Sequence, residues 1–115
     1  MVRIVAVTGG RDAPTSSQTA VFDALGAEYD REPFTLHVGC ARGIDSYAVL
    51  WAEVNQRPFV LLRANWEKHG RSAGAIRNTE ILKGAALLLA FPGGVGTADC
   101  VKQAKSKGID VVAIT

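Results

Sequence analysis

The chain has 115 residues, 12 of them glycine, with 48% hydrophobic and 21% charged residues and a formal net charge of +2. That is enough apolar chain to bury a core, and room for one domain over residues 1–115 with no second module. A disordered chain is excluded, no apolar run reaches the roughly 18 residues of a membrane span, and the near-even charge argues against a general duplex-DNA binder.

The N-terminus lacks the pattern of a secretory leader. Cys40 and Cys100 make neither a disulfide framework nor a Cys-x-x-Cys metal pair. A reduced, cytoplasmic setting is therefore expected, with no metal site.

Val2–Val7 is a β-branched run stopped by Gly9-Gly10, the pattern of a strand buried on both faces. Thr15, Ser16 and Ser17 offer N-caps for a helix to about Tyr29. Phe34–Val38 predicts a second strand. Ile44–Asn55 predicts a helix with Ile44, Ala48, Trp51 and Ala52 on one stripe. Phe59–Leu62 predicts a third strand, and Ala64–Ile76 a long irregular connection. A short helix over Arg77–Lys83, a strand over Ala86–Phe91, a helix over Thr97–Lys107 and a last strand over Asp110–Ile114 follow. Strands alternating with helices imply a Rossmann-like, doubly wound, three-layer α/β fold. Its five-stranded parallel sheet is expected in the order 3-2-1-4-5. Ligands in such sheets sit beyond the carboxyl ends of the strands, where strand order reverses.

Each strand that leads into a helix is followed by a glycine-bearing segment, and the first three of these segments also carry arginine. Pro92-Gly93-Gly94-Val95-Gly96-Thr97 is the strongest segment. Its glycines admit close approach of a ligand, Thr97 can cap the helix, and the free N–H groups of a first helical turn favour a phosphate. It is neither a Walker A loop nor a Gly-x-Gly-x-x-Gly fingerprint after strand one. Gly9-Gly10-Arg11-Asp12 reads as a backbone platform with Arg11 as an anion fork, or as a plain turn. Gly39-Cys40-Ala41-Arg42-Gly43-Ile44-Asp45 sets Asp45 in a first helical turn, where it either stabilises the helix or accepts from ribose hydroxyls or a base amine. Trp66, His69 and Gly70 can stack a base or contact phosphate, or anchor a loop. Arg77 and Asn78 open the next helix. Tyr47 and Trp51 are candidates for core or for a homodimer interface. Cys100, in an early helical turn, is a small buried residue or, less commonly, a dipole-activated thiol.

Taken together these segments resemble the SLOG superfamily, which includes the LOG phosphoribohydrolases and the DprA/Smf proteins, and most of all its small YspA-type family of bacteria and their phages. The resemblance covers nearly the whole chain. It runs through Gly9–Asp12, His37–Asp45, Trp66-x-x-His69-Gly70, Ala73-Gly74-x-x-Arg77-Asn78 and Phe91–Asp99. It implies a nucleotide or a nucleotide-derived, ADP-ribose-like ligand. The Pro92–Thr97 loop would hold phosphate, and the Gly9–Asp12 and Gly39–Asp45 loops would line the rest of the crevice. A sensor or sequestering protein is implied, with no further cofactor and as a homodimer or higher homo-oligomer.

The LOG enzymes carry Pro-Gly-Gly-x-Gly-Thr-x-x-Glu, and here the glutamate position is Cys100. A LOG-like hydrolysis of nucleoside 5′-monophosphates would need Asp99, Asp45 or Asp12 to supply a carboxylate from another geometry. Ala41–Asp45 also resembles a DprA segment, so single-stranded DNA on Arg42, Arg63, Arg71, Arg77 and Trp66 is a further alternative. Nucleic acid is the less expected partner on charge.

Overall fold

The computed structural model describes residues 2–115. Strand β1 (Arg3–Thr8) lies at the centre of a five-stranded parallel sheet and sends alternate side chains to opposite faces. Val5 and Val7 point to one face and Ala6 to the other, and all three are buried. The flanking strands are β2 (Phe34–Gly39), β3 (Phe59–Leu62), β4 (Ala85–Ala90) and β5 (Asp110–Ala113), in the order β3-β2-β1-β4-β5.

Helices α1 (Ser17–Arg31) and α2 (Ile44–Val54) cover the Val5/Val7 face. Val21, Leu25, Ile44, Ala48 and Trp51 pack there against Phe34, Leu36 and Leu89. Trp51 stacks on Phe34 at 5.8 Å between ring centroids and is 3% exposed, so it belongs to the core of its own chain and not to an interface. Helices α4 (Ala73–Leu82) and α5 (Val95–Ser106) cover the other face, where Ile81, Leu82, Cys100 and Ala104 close on Ala6 and Leu88. Two helices on each face make the three-layer, Rossmann-like α/β fold expected from the alternation of strands and helices.

Element bounds differ from the expected ones in two places that matter for the site. The stretch expected to be irregular is a helical turn, α3 (Trp66–His69), then a 3-10 turn at Gly70–Ser72. Helix α4 then starts at Ala73, four residues before Arg77, so Arg77 and Asn78 lie inside it. The break falls at Gly70, whose φ of +53° ends α3, while Gly74 stays helical. Helix α5 likewise starts at Val95 with Gly94 as its cap; Thr97 is its third residue and makes no cap. Among the described residues no helix is long and apolar enough to cross a membrane.

Candidate functional site

The chain leaves β1 for one face of the sheet and leaves β4, its neighbour, for the other. A crevice therefore opens above the carboxyl ends of β1 and β4. Its volume is about 870 Å³, within the usual range for small-molecule sites.

Backbone contacts hold its walls together. Gly10 N–H donates to the Pro92 carbonyl at 2.8 Å, joining the loops after β1 and β4. Ile44 N–H donates to the Gly10 carbonyl at 3.1 Å, joining the loop after β1 to the start of α2. Gly43, at φ +74°, makes that second junction possible. A methyl there would strike the Gly10 carbonyl oxygen and lie 2.7 Å from that of Arg11.

The first turn of α5 forms the second wall. Its first intrahelical bond is from Ala98 N–H to the Gly94 carbonyl at 3.0 Å, and no side chain caps it. The N–H groups of Val95, Gly96 and Thr97 therefore precede the helical ladder and carry the positive end of the dipole. Cβ atoms added at Gly94 or Gly96 would meet nothing within 4 Å, so the turn faces open crevice.

Helix α4 supplies the third wall. Asn78, 3% exposed, spends its amide on the neighbouring elements. Nδ2 donates to the Gly96 carbonyl at 3.2 Å and to Asp99 Oδ2 at 3.0 Å, and Oδ1 accepts from Arg77 Nε at 3.3 Å. One residue thus fixes both the α5 turn and the Arg77 guanidinium. Arg77 is half-buried, lines the crevice and pairs with no carboxylate among the described residues. Trp66 stands at the mouth, 59% exposed, with its ring edge beside Gly74.

Asp45 sits at the crevice floor, 6% exposed, with Oδ2 accepting from Ala41 N–H at 3.2 Å. Burial pushes its carboxyl up to about 6, against the opposing pull of Arg77, the Ala41 N–H and Arg11. Asp99 is partly committed, since its Oδ2 also accepts from Gln103 Nε2 at 2.8 Å. Cys100 is wholly buried, and burial pushes its thiol up to about 11, the opposite of a dipole-activated thiolate.

Of the residues singled out from sequence, Gly9, Gly10, Arg11, Asp12, Ala41, Asp45, Trp66, Arg77, Asn78, Pro92, Gly93, Gly94, Gly96, Thr97 and Asp99 line this one crevice. Gly39 lies behind it, under Asp45 and Arg77, where a methyl would come within 2.8 Å of both side chains. Gly43 acts through the junction just described. Arg42 stands outside, paired with Asp12 at 2.7 Å across two exposed side chains. His69 and Gly70 do not line the crevice, because α3 turns them away from it. Thr8, Gly74, Ala75 and Val95 line it without having been singled out for that role; only the helical phase of α4 and α5 exposes the last three. Of the four arginines of the nucleic-acid alternative, Arg71 and Arg77 line it, whereas Arg42 and Arg63 do not.

A protein-family model described as "YspA, cpYpsA-related SLOG family" matches residues 3–69. The gene 61 protein of Mycobacterium phage D29 is 43% identical over 121 residues, a match spanning 96% of this chain and 95% of that protein. Among solved structures, DNA processing protein A (DprA) from Streptococcus pneumoniae superposes with a TM-score of 0.82 at 16% identity, over 97% of this chain and 50% of that one. This chain thus spans half the length of that protein. The structural genomics target TM1055 superposes with a TM-score of 0.76 at 18% identity, over 96% of this chain and 72% of that one. At such identities the likeness is one of fold.

Proposed function

Because the chain belongs to the YspA, cpYpsA-related SLOG family, we propose that its crevice binds a nucleotide or nucleotide-derived ligand, ADP-ribose-like or a nucleoside phosphate. The observation that carries this is the uncapped first turn of α5, opening onto the same space as Arg77, which pairs with no carboxylate among the described residues. Backbone N–H groups and a guanidinium converging on one volume suit a phosphate. Trp66 at the mouth offers a flat apolar face for a base, and Asp45 at the floor offers an acceptor for ribose hydroxyls. The protein would act as a sensor or a sequestering protein. Calorimetric titration with AMP, ADP-ribose, NAD and cyclic ADP-ribose isomers tests this. Micromolar binding of at least one, weakened by Arg77→Ala, is expected; no heat and no thermal shift with any of them overturns it.

One observation favours a second reading, cleavage of an N-glycosidic bond. Burial pushes the crevice carboxyl of Asp45 up to about 6, toward the range in which a general acid or base works. Against it, Cys100 is buried and Asp99 is held by Asn78 and Gln103. Incubation with nucleoside monophosphates and chromatography for free base separates the two: tight binding without base release leaves the binder.

A further inference from the structure

Asp45 is the crevice carboxyl most withdrawn from water. The groups that face it come from three elements. Arg77 reaches it from α4, Arg11 from the loop after β1, and the Ala41 N–H from the loop after β2. From α5, Cys100 and Asp99 lie farther off, and the Cys100 thiol stays neutral over the whole range below pH 9. Arg77 and Asp45 close over the same Gly39 backbone, yet neither Arg77 nor Arg11 forms an ion pair with the carboxylate among the described residues. The carboxyl is thus sheltered from water, attracted by two cations and neutralised by neither. Burial pushes this carboxyl up to about 6, and a new charge in the crevice shifts its proton balance.

We propose that Asp45 makes ligand binding in this crevice proton-linked: an anion held by Arg77 and the first turn of α5 is taken up together with a proton on Asp45. This rests on the reading of the crevice as an anionic-ligand site. The physical reason has two parts. An anion that engages Arg77 withdraws the cation that had favoured the carboxylate, and it adds a like charge to the same low-dielectric space. Both effects favour the neutral acid, which also gains an O–H that can donate to a ligand oxygen. Linkage is reciprocal, so if the anion promotes protonation, protonation must tighten the anion. Affinity therefore rises as pH falls through the range in which Asp45 titrates in the free protein. If binding raises that range by about one unit, the gain is about tenfold.

The test uses ADP-ribose, whose pyrophosphate has no proton to lose between pH 5 and 8. Calorimetry at pH 6.5 in two buffers of different ionisation enthalpy counts protons taken up. About half a proton per ligand is expected, from a carboxyl moving from near 6 to near 7. Kd should be about tenfold lower at pH 5.0 than at pH 8.0. Asp45→Asn keeps the shape and the acceptor for Ala41 N–H, and it should bind with no proton uptake and a flat pH profile. Carbon-13 titration of the Asp45 carboxyl in the unaltered protein gives the same answer without a variant, moving upward when ligand is added. Binding without proton uptake, or uptake that survives in Asp45→Asn, overturns the linkage and leaves the site. No binding by ADP-ribose or the other ligands at any pH from 5 to 8 removes the site and the linkage together.

Discussion

Replacing Gly96 by alanine separates folding from ligand binding at a single atom. Gly96 is the second residue of α5, and a methyl added there meets nothing within 4 Å. Alanine is a better helix former than glycine by about 1 kcal/mol in a helix interior and less in a first turn, so the variant should gain about 0.5 kcal/mol. That corresponds to about 2–4 °C in Tm for a chain of this size. Every helical Cα–Cβ bond leans toward the N-terminus, so the new methyl projects into the space where a phosphate would meet the N–H groups of Val95, Gly96 and Thr97. Holding the anion off by one methyl weakens charge-assisted bonds worth about 1.5–3 kcal/mol each. We expect a loss of about 2–3 kcal/mol in binding, or about 30- to 150-fold in Kd. Thermal denaturation and calorimetry with ADP-ribose on one preparation read both numbers. A more stable Gly96→Ala that binds with unchanged affinity would refute the role given to this turn. A clearly less stable one would refute its backbone geometry.

The other expectations concern the floor and the junctions of the site. Gly43→Ala forces an alanine into the positive-φ conformation at φ +74°, ψ −128°, which costs about 1–3 kcal/mol, and drives its methyl onto the Gly10 carbonyl that accepts Ile44 N–H. A total loss of about 2–3 kcal/mol should appear in urea denaturation, and a change below about 0.5 kcal/mol counts against that junction. Asp45 titrates higher in the folded chain, near 6, than the ordinary 3.8, so the folded state holds its proton more tightly. Stability from this group is therefore full below about pH 4 and is lost as pH rises through 6. Asp45→Asn should accordingly be more stable than the parent at pH 7.5, by about 3 kcal/mol, with the gap mostly closed by pH 4; a gap independent of pH contradicts the burial argument. Of the two cysteines, exposed Cys40 should react quickly with a thiol reagent under native conditions and buried Cys100 only after denaturation. Two fast thiols would contradict the packing of α5.

Sheet order and the crevice at its switch point were legible because the strands are short, mostly apolar runs and those of β1, β2 and β4 run into glycine. Val2–Val7 and Ala86–Phe91 are apolar on both faces, as strands between two helical layers must be. The start of α4 was not legible. Gly70 and Gly74 look alike in sequence, yet only Gly70 takes positive φ, while Gly74 lies inside α4. That four-residue difference moves Arg77 and Asn78 from a helix end to its middle, and with it their work. From sequence Asn78 opens a helix, but in the fold it is the buried tie between α4 and α5. Its role depends on contacts 18 and 21 residues away, beyond the reach of any local pattern. His69 and Gly70 failed as crevice residues for the same reason: α3 is helical, and its turn carries them off the wall.

The proposed function places a phosphate on the first turn of α5. Amide chemical shifts followed by nitrogen-15 NMR during titration with ADP-ribose test it most directly. The largest changes should fall on the N–H groups of Val95, Gly96 and Thr97, which would gain an anionic acceptor, with smaller ones at Gly10 and Ala41. Saturable binding that leaves those three amides unmoved, with its changes centred elsewhere, would contradict it.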